Sequence, residues 1–333
     1  MKYNNIDFNN KTILITGGAG FIGSNLAFYF QENFPNARVI VFDKFRNDEV
    51  FSNGNLKSFG HFKNLIGFKG IVISGDITNK EDLEQLNDYK IDYIFHQAAI
   101  SDTTVSDQEI MIKTNVNSFN DLMQIAIKNQ APLIYASSAA TYGNSKTFKV
   151  GYENPNNVYG FSKLMMDNLA REYMKKVDIP IVGLRYFNVY GPREYYKNKT
   201  ASMVLQFGLQ LLKGESAKLF VGSDKIKRDF IFVEDVIQAN IKATNPKKSG
   251  IYNVGTGIAR SFQDIVNILK KELNINREDK YIPNPYVKQY QFFTQADIED
   301  TQKYLDYCPN YTLEEGIKAD IPYIKKIFDE EIK

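Results

Sequence analysis

An α/β fold with a doubly wound parallel sheet is predicted by three observations. Short apolar runs alternate with stretches of helical periodicity through the first half of the chain, the pattern of strands buried on both faces by crossover helices. The run Ile15-Thr16-Gly17-Gly18-Ala19-Gly20-Phe21-Ile22-Gly23 joins the first apolar run to the first helical one. Gly18-x-Gly20-x-x-Gly23 thus stands between a strand and a helix, the context that a dinucleotide fingerprint requires. Asp43 follows Gly23 by twenty residues and closes the second strand, where an acid can reach the ribose of an adenosine.

The elements follow in order. Strands are expected at Thr12–Ile15, Val39–Phe42, Ile71–Ser74, Tyr93–His96, Leu133–Ser137 and Ile181–Tyr186. Helices are expected near Ser24–Asn33, Lys80–Leu86, Ile110–Asn129 and Ser162–Lys176. In the glycine turn, Gly17, Gly20 and Gly23 let the backbone approach a pyrophosphate, with Phe21 and Ile22 leading into the helix whose N-terminus faces that anion. After the third strand, Asp76 and Ile77 stand where an acid could accept from an adenine amino group; Asp76 could equally cap the Thr78–Asp82 stretch. After the fourth, Gln97, Ala98 and Ala99 are small enough to let a cofactor lie close to the backbone, and His96 reads as a packed histidine. After the fifth comes Ser137-Ser138-Ala139-Ala140-Thr141-Tyr142-Gly143, and then Tyr159-Gly160-Phe161-Ser162-Lys163 at a helix start.

The second half is less regular. Val189-Tyr190-Gly191-Pro192-Arg193 reads as an exit from the sheet, Ala201–Lys213 as a helix, Asp229–Val233 and Ile251–Val254 as strands. The expected division is a dinucleotide-binding (Rossmann) domain from 1–187 and about 229–260. A smaller α/β substrate domain takes about 188–228 and 261–333, built from discontinuous C-terminal segments.

Composition narrows the function. The chain has 333 residues, 43% hydrophobic and 24% charged, as in ordinary globular proteins. A formal net charge of +2 gives no case for nucleic acid. One cysteine, Cys308, and two histidines, His61 and His96, leave no disulfide and make a metal centre an unexpected feature. No apolar run approaches the roughly 20 residues needed to span a bilayer, and residues 1–10 do not read as a signal peptide. The expectation is a cytoplasmic protein with neither membrane nor nucleic acid as partner.

Tyr159 and Lys163 are four apart and share a helical face. An ammonium beside a phenol favours the phenolate and lowers the tyrosine pKa. The same lysine can hold cofactor ribose hydroxyls, and Ser138 can bind the reacting oxygen. Ser138, Tyr159 and Lys163 together suit moving a proton on and off a carbinol while hydride leaves its carbon.

The fingerprint, the Ser-Ser-Ala-Ala-x-Tyr-Gly run, Tyr159-x-x-x-Lys163 and Arg185-Tyr186-Phe187-Asn188-Val189-Tyr190-Gly191-Pro192 resemble the extended short-chain dehydrogenase/reductases that act on nucleotide sugars. Within them, Ser101-Asp102-Thr103-Thr104, Gly191-Pro192-Arg193-Glu194-Tyr195-Tyr196-Lys197, Phe220-Val221-Gly222-Ser223, Lys227-Arg228-Asp229-Phe230 and Tyr290-x-x-Phe293-Thr294-Gln295-Ala296-Asp297 resemble the ADP-L-glycero-D-manno-heptose 6-epimerases. The resemblance implies a redox-neutral inversion at C6 of an ADP-heptose, as in the making of the lipopolysaccharide core, by a homo-oligomer. It implies Tyr159 and Lys197 as the two proton-transfer groups. Arg193, Lys197 and Lys199 lie close in sequence, and the bland alternative is a solvated basic loop or a diphosphate clamp. The resemblance places Lys44 and Asn115 with the glycine turn, Asp43, Asp76 and Lys163 at the cofactor. It places Ser101, Asn188, Lys199, Gln206, Phe220, Ser223, Arg228 and Tyr290 at the substrate, with Arg228 on the diphosphate. Lys199 and Gln206 depart from the residues found there in the family, and Asn53–Lys63 is longer than in other members.

The implied cofactor is NADP. Asp43 alone would suit NAD, but Lys44 and Arg46 follow it and could pair a 2′-phosphate. Four alternatives remain. A 4,6-dehydratase carries an acidic pair where this chain has Ala139 and Ala140. A UDP-hexose 4-epimerase shares the triad. A net dehydrogenase would need added oxidant. A non-catalytic sensor of the dinucleotide typically lacks the catalytic tyrosine.

Overall fold

The structure is a computed structural model and describes residues 2–284 and 292–333. The chain runs β1 (Thr12–Thr16), α1 (Phe21–Asn33), β2 (Arg38–Asp43), β3 (Ile71–Ser74), α2 (Lys80–Glu84), β4 (Tyr93–His96), α3 (Gln108–Ile112), α4 (Ser118–Asn129), β5 (Leu133–Ser138), α5 (Val158–Met174) and β6 (Ile181–Tyr186). It continues through β7 (Asn188–Tyr190), α6 (Met203–Leu212), β8 (Lys218–Phe220), β9 (Lys227–Phe232), α7 (Val233–Lys242), β10 (Gly250–Val254), β11 (Ala259–Ser261), α8 (Phe262–Leu273), β12 (Lys280–Ile282), α9 (Glu299–Leu305) and α10 (Leu313–Glu331).

A seven-stranded sheet has the order β10-β6-β5-β4-β1-β2-β3, and its pairings are parallel. Strand order reverses between β1 and β4, and in such sheets ligands bind at the carboxyl ends beside that crevice. One face is covered by α1 and α7 over Leu26, Phe30, Val236 and Ile237. The other is covered by α4 and α5 over Phe119, Leu122, Met166 and Ala170. A smaller body packs α6, α8 and α10 through Leu205, Phe207, Ile265, Leu269, Ile317 and Ile324. It carries a sheet ordered β11-β9-β7 and a pair β12-β8. β9, which contains residue 229, pairs with β11 and β7 in the smaller sheet, whereas β10 returns to the large one. Among the described residues no helix is long and apolar enough to cross a membrane.

α1 begins at Phe21, three residues before the expected Ser24, and two further helices differ where a side chain redirects the backbone. The continuous helix expected at Ile110–Asn129 is broken by a wide turn at Lys113–Asn117. Such an inserted residue is a common device near functional sites; here it turns Asn115 into the interior. α5 begins at Val158, not Ser162, because the Asn157 side chain accepts the Gly160 N–H at 2.8 Å and caps it. Tyr159 therefore stands in the first turn of α5 and is held rigidly.

Candidate active site

The glycine turn is shaped for an anion. Gly17 has φ +69°, and a Cβ there would lie 2.7 Å from the Ala98 nitrogen. A Cβ on Gly23 would lie 2.2 Å from the Gly17 carbonyl oxygen, so α1 starts in contact with the turn. Gly20 caps α1 without a side chain, and no acid occupies the first turn. The N–H groups and positive dipole end are left for a pyrophosphate. These observations fit a dinucleotide held by Gly17, Gly20, Phe21, Ile22 and Gly23.

Asp43 braces the turn: its carboxylate accepts the Ala19 and Phe45 N–H groups, both at 2.9 Å. Burial raises its pKa against those hydrogen bonds. Asp76 accepts from the Thr78 N–H and Oγ1 at 2.8 and 2.7 Å and pairs with Lys44 Nζ at 2.8 Å. Burial pushes its carboxyl up, but Lys44 and Thr78 together hold it below the usual range. Its turn-bracing and its position in the cleft wall coexist.

The Asn53–Lys63 segment has a definite place. Arg46 N–H donates to the Gly60 carbonyl, and His61 N–H to that of Ala19. Asn53 and Asn55 donate through Nδ2 to Asp102 Oδ2 at 3.2 and 2.7 Å. Phe51 packs with Ile100, Val105, Met111 and Tyr159. The segment is thus a roof that crosses the cleft from the glycine turn to the loop after β4.

Beneath it, one cavity brings together the glycine turn, Asp43 with Lys44, Asp76 with Ile77, and Gln97 to Ala99 with Ser101. Ser138, Tyr159, Lys163 and Lys197 line the same cavity. Ser138 Oγ accepts the Ala140 N–H at 3.1 Å. Lys163 is 2% exposed; its Nζ donates to the Ala136 carbonyl at 2.7 Å and lies 6.0 Å from the Tyr159 ring centroid. Burial pushes Lys163 down to about 8, with Asp167 opposing. The Tyr159 phenol departs from the sequence expectation of a lowered pKa. Burial raises it, and the opposing influence is its hydrogen bond with Ser138. The lysine ammonium is committed to a backbone carbonyl, so desolvation dominates.

Behind β5 lies a buried ion pair that sequence reading missed. Asp167 Oδ2 accepts from Arg185 Nε and Nη2 at 2.9 and 2.7 Å and from Ser137 Oγ at 3.1 Å; Oδ1 accepts from Tyr135 at 2.8 Å. Arg185 also donates to Glu153 at 2.6 Å. The legible signal was Asp167 at four residues past Lys163, on the same helical face.

Lys197 reaches the cavity from a short helical turn, Tyr195–Thr200, with its Nζ 5.5 Å from the Phe21 ring centroid. Burial lowers its pKa and Glu194 opposes. Arg193 does not join it in a basic loop or diphosphate clamp. Its guanidinium lies 3.8 Å over the Phe28 ring and donates to the Asn64 carbonyl at 2.6 Å. Arg46 likewise turns away, to the Tyr196 carbonyl.

Other expected residues stand apart from the cavity wall. Asn115 is fully buried: its Oδ1 accepts the Ile100 N–H at 2.9 Å, and its Nδ2 donates to the Ile100 carbonyl and Ser162 Oγ at 3.0 and 2.9 Å. It braces the loop after β4 against α5 and has no side-chain donor left for a cofactor. Asn188 is exposed between Phe187 and Val189, which line the cavity; strand alternation turns it to the other face. Gln206 donates to the Ala201 and Lys199 carbonyls, closing the Lys197 turn, and the Lys199 residue is exposed. Phe220 ends β8, Ser223 is buried in the turn after it, and Arg228 is buried on β9 with Nη1 on the Lys227 carbonyl at 3.0 Å. None of these six lines the cavity. Tyr290 lies outside the described residues. His96 is packed, with Nδ1 2.7 Å from Thr16 Oγ1, and burial pushes it down to about 3.

Comparisons with known proteins agree with this architecture. Residues 13–255 match the model of the NAD dependent epimerase/dehydratase family. The chain is 54% identical to the ADP-L-glycero-D-manno-heptose-6-epimerase of Helicobacter pylori, covering 98% of this chain and 99% of that one, with a TM-score of 0.89. It is 28% identical to the UDP-glucose 4-epimerase of Thermotoga maritima, covering 95% and 99%, with a TM-score of 0.83. It is 27% identical to the UDP-glucuronic acid 4-epimerase of Bacillus cereus, solved with UDP-glucuronic acid and NAD, covering 95% and 99%, with a TM-score of 0.79. With the glycine cradle, the strand-end serine and the Tyr159–Lys163 pair all facing one cleft, the chain belongs to the NAD dependent epimerase/dehydratase family.

Proposed function

We propose that this protein converts ADP-D-glycero-D-manno-heptose to its L-glycero epimer, by oxidation at C6 and re-reduction on the opposite face. The observation that carries the reading is the presence of two proton-transfer groups, Tyr159 and Lys197, on the wall of one cavity. A single base serves one substrate orientation; two let a ketone be re-reduced after it has turned over. Support for the heptose comes from the 54% identity to the Helicobacter pylori enzyme over nearly the whole chain.

The large-sheet body, 1–187 with α7 and β10, holds the dinucleotide. The smaller body, from about 188–228 and 261–333, holds the sugar nucleotide. The N-terminus of α1 takes the pyrophosphate, Lys163 the ribose hydroxyls, and Ser138 the reacting oxygen. A bound nicotinamide supplies a reversible two-electron acceptor, so no net oxidant is consumed. Tyr159 takes or returns the C6 hydroxyl proton in one orientation of the sugar and Lys197 in the other. The short turn after Ser138 presents Ala139 and Ala140, which offer no acid to expel water; this favours epimerisation over dehydration.

Proton NMR of ADP-D-glycero-D-manno-heptose with purified protein and no added cofactor tests the reading. Appearance of the L-glycero epimer is expected. No conversion, even with added NADP or NAD, would overturn it. Lys197→Met should lower epimerisation by two orders of magnitude or more, on the scale of one lost general acid–base group. Wild-type rates in that variant would remove Lys197 from the chemistry.

We further take the resident dinucleotide to be NADP. Asp43 spends its oxygens on backbone N–H groups, while the Lys44 and Lys57 residues line the same end of the cleft. Lys44→Ala should weaken NADP binding about tenfold or more and leave NAD nearly unchanged, measured by titration of protein stripped of nucleotide. Equal losses for both would refute a 2′-phosphate contact.

A further inference from the structure

We infer that Glu194 is the positioning residue for Lys197: as a carboxylate it ties together both ends of the turn that carries this lysine and supplies the negative charge its ammonium faces. The inference rests on the reading of Lys197 as a proton-transfer group.

The geometry is specific. Glu194 is fully buried. Its Oε1 accepts the Gly191 N–H at 3.2 Å and the Ser202 hydroxyl at 2.7 Å, and its Oε2 accepts the Ser202 N–H at 2.6 Å. Gly191 and Ser202 bracket the segment containing Lys197, so one side chain closes the turn from within. The Lys197 N–H in addition donates to the Glu194 carbonyl at 3.0 Å. The Ser202 hydroxyl that donates to Glu194 itself accepts the Leu205 N–H at 3.3 Å, capping α6. The closed turn is thereby anchored to a helix of the smaller body. The backbone inside it is unusual: Arg193 and Asn198 both have positive φ, +75° and +53°. Such conformations persist only where surrounding contacts over-determine them.

The same geometry assigns protonation. All three groups on Glu194 donate, the arrangement that suits an acceptor-only ionised carboxylate. Asp320 on α10 is also fully buried, yet neither of its oxygens has a hydrogen-bond partner in the structure. An isolated buried carboxylate is costly and takes up a proton instead. Burial raises both acids, and the charge of Glu194 raises Asp320 further. We assign the ionised role to Glu194 and the neutral one to Asp320. The other titratable groups against them are Tyr190 and Tyr323, both pushed up by burial and hence neutral phenols, with Asp235 and Glu314 acting on Tyr190. Lys197 is the cation whose charge acts on Glu194.

The sign follows. Burial drives the Lys197 ammonium toward its neutral form, and Glu194 opposes that. Without the carboxylate, Lys197 loses its proton at lower pH. The test is competitive acetylation of Lys197 with acetic anhydride at graded pH, read by peptide mass spectrometry, which reports its titration without using activity. Glu194→Gln should lower the midpoint by about one pH unit or more, a tenfold change in the protonated-to-neutral ratio. Ser202→Ala, which loosens the turn and keeps the charge, should raise the labelling rate without moving the midpoint. Asp320→Asn should leave the midpoint where it is. An unmoved midpoint in a folded Glu194→Gln protein overturns the inference. So does an equal shift in Ser202→Ala, or a fall in Asp320→Asn, and the last two decide the matter if Glu194→Gln does not fold. Wild-type epimerisation by Lys197→Met would instead overturn the catalytic reading while leaving these titrations interpretable.

Discussion

Replacing Tyr159 with Phe should lower turnover on the order of 10²–10⁴-fold while leaving the dinucleotide bound. The ring of Tyr159 is 9% exposed and packs with Phe51, Ile100, Val105 and Met111. Phenylalanine keeps every apolar contact and removes only the hydroxyl that hydrogen-bonds Ser138, the group proposed to exchange protons. The proposed dinucleotide grip lies elsewhere, in the glycine turn, in α1 and in Lys163. Nicotinamide absorbance or fluorescence of the purified variant should match that of the wild type while the NMR assay shows little epimer. Turnover within a few-fold of the wild type would take proton transfer away from this residue.

Asp167→Asn should destabilise the fold by about 3–5 kcal/mol, the usual consequence of removing one partner from a buried ion pair. Both side chains are fully buried. The substitution leaves the Arg185 guanidinium with one carboxylate, Glu153, itself at the edge of the network. It also places an amide N–H₂ opposite donors from Tyr135, Ser137 or Arg185, which need an acceptor. Chemical denaturation of the two proteins measures this directly. A loss under about 1 kcal/mol would mean that Glu153 alone compensates Arg185. Because Ser137 and Ala136 are tied to Asp167 and Lys163 respectively, the weakened network should loosen the strand end that presents Ser138.

The nucleotide half was legible in the sequence because its signals are local. A glycine turn needs particular residues within nine positions, and Tyr159 and Lys163 need only one helical turn to share a face. The six strands expected there, from Thr12 to Tyr186, reappear in the large sheet with no end moved by more than one residue. Buried parallel strands read as plain apolar runs, and that signal does not depend on distant neighbours. The breaks came where one side chain acts across the fold. Asn115 opens a helix to brace Ile100 and Ser162, and no helical periodicity records such a demand.

The class of fold, the glycine turn and the Ser138–Tyr159–Lys163 group are each a pattern within a short stretch of chain and could be read there. How distant charges are used depends on the packing of the whole chain. The packing turned Arg193 and Arg46 away from the cleft, set Asp167 behind β5 and laid residues 51–60 over the cavity. It also placed Glu194 and Asp320, more than a hundred residues apart, in one another's field. A charge is stabilised or penalised by whatever the fold packs against it, at separations that sequence spacing does not encode.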